Sequence, residues 1–290
     1  MFTREKFAGN PAGVVLGAEG LSDFEMQQIA RELNNSETAF VFSPNSDDHD
    51  VWVRFFTPTC EVPNCGHATL AAHFVRTIYG SGAIGHIRHK CAAGIMDVDV
   101  VASEGRTFIV RMTQAPPTFT SLNLETVSRI TSALGVEVDG CDPLCPIEAV
   151  STGHSKILVG VKNSRVLNTL SPDLDRLTKL SNETGVNGYF VFTLRPDDTE
   201  YIAESRMFAP AVGISEDPVT GNGNGPLDAY LVKHRFSGVR DGRFSFRALQ
   251  GRKIGRPGVV KGSVEVVNGE PQNVTIGEDA VVAFSFDLSM

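Results

Sequence analysis

The chain has 290 residues, of which 41% are hydrophobic, and its formal net charge at pH 7 is -8. A chain of this length can form one large domain or two of ordinary size, and the acidic balance argues against nucleic acid as the main partner. No apolar run approaches the roughly 18 residues of a membrane-spanning helix, and residues 1–7 lack the apolar core of a signal peptide. We therefore expect a globular cytoplasmic protein whose partner is a small molecule rather than a nucleic acid or a membrane.

The predicted elements of the first half are short strands and two helices. Ser22 or Asp23 is predicted to cap the first helix, whose apolar residues fall on roughly one face. Val51–Phe56 alternates as a half-buried strand, and a second helix is predicted after Gly66. β-rich runs then follow up to the pair Pro116–Pro117.

This proline pair predicts a domain boundary, because proline favours extended chain and cannot continue a helix. It separates an N-terminal half, 1–116, from a C-terminal half, 117–290. The last strand, at about 276–290, is compatible with packing on either half.

The second half repeats the first. Residues 23–42 align with 173–192 at an offset of 150, so that Phe40–Phe42 falls on Phe190–Phe192. A match of this length is improbable by chance and indicates a duplication. We therefore predict an α+β fold of two pseudo-symmetric domains, each a curved sheet or barrel around its second helix.

The repeat also places reactive side chains. At an offset of 152, Phe56–Thr59 matches Phe208–Ala211, and seven residues beyond each proline stand Cys65 and Asp217. A pseudo-twofold axis is expected to bring these two residues face to face in a cleft, each before a helix N-terminus. Helix N-termini bind anions and stabilise an enolate-like charge. The pattern is typical of a racemase or a proton-transferring isomerase.

The duplication exposes an asymmetry at Glu37, which aligns with Asn187. Only the first half therefore has an ionisable group at this position. Burial in the apolar surroundings beyond Ala39 is expected to raise the pKa of the Glu37 carboxyl toward neutrality. From local sequence alone, a solvated surface glutamate is the favoured alternative.

Cysteines and histidines give weaker signals. The five cysteines are Cys60, Cys65, Cys91, Cys141 and Cys145. Their odd number in a large chain favours reduced thiols, and their spacings are not those of a zinc knuckle, so we expect no metal. We expect solvated or capping roles for the histidines without ligand spacing, which are His49, His73, His86, His89 and His234. His154 occupies the position of Asn10 in the other half, and Gln250 opens a hairpin with an expected structural role.

Four segments resemble the signature segments of the PhzF (phenazine biosynthesis-like) family. They are 7–16, 30–41 with Ser36-Glu37-Thr38, 55–69 ending in Cys65-Gly66-His67-Ala68-Thr69, and 216–221 with Asp217-Pro218-Val219-Thr220-Gly221. The resemblance covers nearly the whole chain and implies the duplicated fold of diaminopimelate epimerase and proline racemase. Members usually carry a longer first strand than the one that ends here at Met1–Thr3.

The resemblance implies a cofactor-independent isomerase in which Glu37 is the general acid/base. It implies that His67 and Asp217 hold the substrate and assist proton movement. The residues expected to line the site are Ser36, Gly66, Gly221 and Asn222, together with Cys65. The phenazine-pathway member moves a proton between ring carbons of a dihydro-hydroxyanthranilate, so a small carboxylate-bearing substrate is expected, with a homodimer as a possible assembly.

Two alternatives remain open. The amino-acid epimerases use two cysteines at the places we align with Cys65 and Asp217, so one alternative is a racemase or epimerase that uses these two residues. The other is a binding protein that has kept the fold without catalysis. The intact set of Glu37, His67 and Asp217 argues against this second alternative.

Overall fold

The computed structural model describes residues 1–80, 82–102, 108–137 and 139–287. The chain divides into two compact units, one formed by Met1–Thr113 with Gly277–Met290 and the other by Gln114–Ile276. Among the helices of the described ranges, none combines the length and apolar character needed to cross a bilayer.

The first unit is a mixed sheet with two helices. Its elements are β1 (Gly13–Leu16), α1 (Asp23–Leu33), β2 (Thr38–Phe42), β3 (Val51–Phe56), β4 (Glu61–Val62), α2 (Gly66–Ile78), β5 (Gly85–Cys91), β6 (Gly94–Ala102) and β7 (Phe108–Thr113). The strands are ordered β1-β2-β3-β5-β6-β7, with β4 paired to β3. The pairs β1–β2 and β3–β5 are parallel, and the others are antiparallel.

The second unit repeats this plan with additions. Its elements are β8 (Thr118–Ser121), α3 (Leu124–Leu134), β9 (Glu148–Ser151), β10 (Ser155–Gly160), α4 (Ser164–Thr169), α5 (Leu174–Thr184), β11 (Tyr189–Thr193), β12 (Ala203–Ala209), β13 (Ile214–Asp217), α6 (Gly221–Lys233), β14 (Gly242–Gln250), β15 (Gly258–Val267) and β16 (Glu270–Glu278), the last of which belongs to this unit up to Ile276. The strands are ordered β8-β9-β10-β11-β12-β14-β15-β16, with β13 paired to β12.

In each unit the second helix lies in the core. Every residue of α6 from Gly223 to Val232 is buried, and so is the stretch of α2 from Ala68 to His73. The apolar side chains of α6 pack against the inner face of the sheet, in one cluster with Phe190, Met207 and strands β14 and β15. Because buried residues surround α6 on all sides, the helix occupies an enclosed position and not a surface one. The predicted α+β class is therefore confirmed.

The helix caps correct the predicted offset of the repeat. The N-cap of α1 is Ser22 and the N-cap of α5 is Asp173, and strand β2 begins at Thr38 where β11 begins at Tyr189. Both pairs are 151 residues apart, so the offset of 150 was wrong by one residue. The resemblance between two Phe-Val-Phe triplets produced the error, since in a strand a slip of one residue moves every side chain to the opposite face.

The corrected register gives Glu37 a different counterpart, Gly188 instead of Asn187. Gly188 has a φ of 152°, and a Cβ built there would lie 2.6 Å from both Met207 Cε and the Phe208 carbonyl oxygen. A side chain at this position of the second unit would therefore require its neighbours to move. Packing therefore excludes an acidic side chain from the position in the second unit that is equivalent to Glu37.

A second correction concerns Cys65 and Asp217. The helices begin at equivalent points, so Cys65, the N-cap of α2, corresponds to Thr220, the N-cap of α6. Strand pairing makes Asp217 the counterpart of Val62. The second unit inserts one 3-10 turn, Pro210–Val212, between β12 and β13. Cys65 and Asp217, which the sequence places seven residues beyond equivalent prolines, are therefore not equivalent in the fold and differ by the length of this turn.

An arginine–glutamate pair is duplicated with the fold. In the first unit Arg54 donates to both carboxylate oxygens of Glu61, at 2.8 and 2.7 Å. In the second unit Arg206 donates to both oxygens of Glu216, at 2.9 and 2.8 Å, and also to two backbone carbonyls. The second pair is the more buried, with 6% and 14% of the side chains exposed against 17% and 36%.

We expect Arg206→Met to lower the free energy of unfolding by about 3–5 kcal/mol, because it leaves the buried Glu216 carboxylate unpaired. Arg54→Met is the matched control and should cost about 1 kcal/mol or less, since its partners are more exposed. Urea denaturation of the two variants checks this. Equal losses of unfolding free energy in the two variants would contradict the expectation that the more buried pair contributes more to stability.

The core of the second unit contains an ionisable group, Asp228 of α6. Both carboxyl oxygens are buried and have no hydrogen-bond partner among the described residues. A Cβ on Gly262 would lie 1.9 Å from Asp228 Oδ2, so the glycine makes room for the carboxyl. Burial raises the pKa of Asp228 well above its ordinary value.

Because the folded-state pKa of Asp228 is raised, folding takes up a proton above the unfolded-state pKa. Stability is therefore lost as the pH rises through the interval between the two pKa values, by about 1.4 kcal/mol per pH unit. We expect Asp228→Asn to reduce this loss, so that its stability relative to the parent protein increases from pH 4 to pH 8. Thermal unfolding across this range measures it, and a constant difference would contradict the assignment.

Candidate active site

Glu37 is positioned by the beginning of β2. It directly precedes Thr38, and its carbonyl oxygen accepts a hydrogen bond of 3.1 Å from the Gly13 amide of β1. Only 17% of its side chain is exposed. The backbone is thus held in the sheet, and the carboxylate lies at the end of the strand.

His67 lies beside Glu37 because it is the second residue of α2. Its Nε2 atom is 3.3 Å from Glu37 Oε2 and 3.3 Å from Ser36 Oγ, and its Nδ1 atom is 3.5 Å from Cys65 Sγ. The structure therefore brings together four predicted site residues, and Gly66 is the backbone link between two of them. The imidazole stands between the thiol and the carboxylate.

The electrostatics of this group favour a neutral histidine. Burial lowers the pKa of His67, and the opposing attraction of the Glu37 carboxylate is the smaller effect. The Glu37 Oε2 atom is buried and, within the described part of the chain, receives no well-aligned hydrogen bond. This oxygen is therefore available to accept a proton from a ligand.

The other predicted residues belong to the second unit. Asp217 ends β13, Thr220 is the N-cap of α6, and the Thr220 hydroxyl donates to Asp217 Oδ2. Gly221 and Asn222 are the first residues of α6 and correspond to Gly66 and His67 of α2. That these residues serve the same reaction as Glu37 stays a prediction.

Gln250 holds the segment between Asp217 and α6. Its Oε1 atom accepts from the Thr220 amide and from Asn224 Nδ2, each at 3.0 Å. Its Nε2 atom donates to the Asp217 carbonyl at 3.0 Å and to Thr220 Oγ1 at 3.1 Å. All hydrogen-bonding capacity of this fully buried amide is used on one segment. The hairpin residue that we expected to be structural thus fixes the position of Asp217.

Gln114 performs a similar task at the first turn of α6. Its Nε2 atom donates to the Gly221 carbonyl at 3.3 Å and to Asn222 Oδ1 at 3.4 Å, and its Oε1 atom accepts from Thr152 at 2.7 Å. The sequence analysis missed Gln114, because an isolated polar residue after a strand carries no motif. Only the neighbouring Gly225 hints at the contact, since a Cβ there would lie 1.8 Å from Gln114 Oε1.

The expected surface roles of two histidines were wrong. His73 and His89 are buried, and His73 Nε2 lies 3.0 Å from His89 Nδ1. Burial lowers the pKa of His89 to about 3 and that of His73 well below its ordinary value, so both rings are neutral at neutral pH. One hydrogen bond links the two neutral rings within the core, and His89 Nε2 has no hydrogen-bond partner among the described residues.

One group of potential metal ligands occurs among the described residues. The ligand atoms of Glu37, Cys65 and His67 all lie within 4.8 Å of one another. A thiolate, an imidazole and a carboxylate form a donor set that zinc accepts. The same atoms are the ones that acid/base chemistry needs.

Comparisons with known proteins agree with this architecture. Residues 1–285 match the PhzC-PhzF family, described as phenazine biosynthesis-like protein, and the chain belongs to this family. It is 49% identical to an uncharacterized isomerase of Clostridium acetobutylicum over 288 residues, covering 99% of this chain and 95% of that protein. It is 32% identical over 260 residues to the trans-2,3-dihydro-3-hydroxyanthranilate isomerase of Pseudomonas chlororaphis, covering 89% and 86%.

Solved structures agree. A PhzF-family protein of Bacillus anthracis superposes with a TM-score of 0.90 at 29% identity, covering all of this chain and 96% of that one. A probable proline racemase from Agrobacterium radiobacter superposes with a TM-score of 0.55 at 16% identity over 88% of this chain and 78% of that one, a likeness of fold alone. The family, the diaminopimelate-epimerase-like fold and the enzyme class of isomerase are therefore confirmed.

We expect the purified protein to contain no stoichiometric metal, because a metal ion would occupy the lone pairs that Glu37 and His67 need for proton transfer. Elemental analysis of protein prepared without chelator checks this. Zinc near one per chain that is lost in His67→Asn and kept in the control His234→Asn would contradict the expectation and assign the metal to this group.

Proposed function

We propose that the protein is a cofactor-independent isomerase that moves a proton between carbons of a small carboxylate-bearing substrate, with Glu37 as the general acid/base. The observation that carries this proposal is the buried Glu37 Oε2 atom, 3.3 Å from His67 Nε2 and without a structural hydrogen bond among the described residues. A Pseudomonas relative is named for an isomerisation of a dihydro-hydroxyanthranilate, which is a carboxylate of this kind.

In the proposed step Glu37 accepts a proton from a substrate carbon, and the electron pair of the broken C–H bond enters the adjacent double-bond system. The same carboxyl then returns the proton to a different carbon. Glu37 ends in its starting protonation state and no electrons are gained or lost, so the step needs neither a redox partner nor an organic cofactor.

His67 supports this step as a neutral group. Because burial lowers its pKa, the ring carries one N–H near neutral pH and can donate to the substrate or to Glu37 without a competing positive charge. The first turn of α2 adds backbone N–H groups that stabilise negative charge on the substrate. We assign Asp217, Gly221 and Asn222 to substrate binding on the basis of the family resemblance.

Glu37→Gln tests the proposal. The amide keeps the shape of the side chain but cannot accept and return a proton, so we expect a loss of roughly 10²–10⁴-fold in the exchange of substrate hydrogen with deuterated solvent. Proton NMR in deuterium oxide, with a panel of dihydroaromatic and amino acids, measures the exchange. Glu32→Gln, an exposed glutamate of α1, is the matched control and should exchange at the parent rate.

Cys65→Ala separates this proposal from an epimerase in which Cys65 is an acid/base. With Glu37 as the base, much of the exchange should survive, because the thiol lies 3.5 Å from His67 Nδ1, which is not the ring nitrogen that faces Glu37. Exchange that persists in Glu37→Gln and vanishes in Cys65→Ala would assign the base to the cysteine instead.

A further inference from the structure

The inner face of the second unit carries a buried lysine. Lys156 is the second residue of β10, and only 4% of it is exposed. Its ammonium group makes no hydrogen bond to any residue within the described ranges. A buried cation without an acceptor is costly, and such groups are found where a ligand or a functional partner supplies the opposite charge.

Strand register places Lys156 on the same face as Asp217. Leu158 pairs with Phe190, Phe190 with Met207, and Met207 with Asp217. Residues directly opposite in neighbouring strands point to one face, and so do residues two apart along a strand. The three apolar members of this row pack against α6, so Lys156 also points to the side of the sheet that α6 covers.

A hydrogen-bonded link brings the first turn of α6 to the same end of β10. Lys156 pairs with Val150 of β9, and Thr152 follows two residues further along the chain. Thr152 donates to Gln114, which in turn donates to the Gly221 carbonyl at the start of α6. The beginning of this helix is therefore tied to the turn that leads into Lys156.

Lys156 carries a positive charge near neutral pH. Burial lowers the pKa of Lys156 to about 8, and Asp217 opposes this shift by attraction, so most of the amine is protonated at pH 7. His154 adds no positive charge beside Lys156 at neutral pH, since burial and Lys156 itself lower its pKa. The N-cap residue of α6, Thr220, makes no side-chain capping bond, because its hydroxyl donates to Asp217. The Gly223 amide donates to the Thr220 carbonyl, whereas the amides of Gly221 and Asn222 have no partner among the described residues and remain donors for an anion.

We propose that Lys156 binds the carboxylate of the substrate, together with the first turn of α6. This inference rests on the proposed function for the substrate class and adds a residue to which neither the sequence motifs nor the comparisons assign a role. The lysine supplies charge, the helix start supplies directed donors, and Gln114 and Gln250 hold that helix start in place.

Equilibrium binding tests this without requiring turnover. We would titrate anthranilate, an aromatic carboxylate, and its uncharged analogue 2-aminobenzamide into the parent protein by calorimetry. Lys156→Met should weaken anthranilate binding roughly 10- to 100-fold, the value of a hydrogen bond to a charged group, and leave 2-aminobenzamide unchanged. Lys156→Arg should restore much of the anthranilate affinity that Lys156→Met loses. Lys156→Gln repeats the loss of charge with a polar side chain. Lys179→Met removes an exposed charge from the same unit and should bind like the parent.

The outcomes are distinct from those for Glu37. Equal affinity of the parent and both neutral variants for anthranilate would overturn the role of Lys156 even if Glu37-dependent exchange is found. A parent protein that binds neither compound would overturn it as well. Lys156-dependent binding of anthranilate without exchange of any substrate hydrogen would sustain the carboxylate site and count against the isomerisation.

Discussion

The enclosure of one helix in the core of each unit constrains the rest of the structure. A helix buried on all sides still has unpaired N–H groups in its first turn, so the residues around that turn must be polar and fixed. In the first unit Ser36 and Glu37 lie beside His67 of this turn. In the second unit Gln114 and Gln250 hold it. The candidate site residues therefore gather at these two helix starts.

The same enclosure explains where the two units have diverged. Since α2 and α6 begin at equivalent residues, His73 and Asp228 occupy the same position in their helices, and both are buried. His73 is paired with His89, whereas Asp228 has no hydrogen-bond partner among the described residues and faces Gly262. Each of these two arrangements depends on a residue from a neighbouring strand.

The family, the α+β class and the duplication could be predicted because they rest on long patterns and several motifs. The register could not, because two Phe-Val-Phe triplets matched in letters while facing opposite sides of their sheets. Gln114 and Gln250 act through contacts that are distant in sequence. No role was predicted for Gln114, and only a general structural role was predicted for Gln250. Their partners Thr152 and Thr220 are 38 and 30 residues away, and nothing local marks an amide that is fully bonded.

The corrected register shows a division of charge within the repeat. Gly13 pairs with Thr38, and Ile157 pairs with Tyr189, so Lys156 is the counterpart of Ala12 just as Gly188 is the counterpart of Glu37. At one pair of neighbouring strand positions the first unit therefore has alanine and an acid, and the second has a lysine and glycine. Each unit therefore has one charged side chain at this pair of positions, an acid in the first unit and a cation in the second. The two copies of the fold have thus diverged in charge at equivalent positions, with the acid in the unit that contains His67 and the lysine in the unit that contains Asp217.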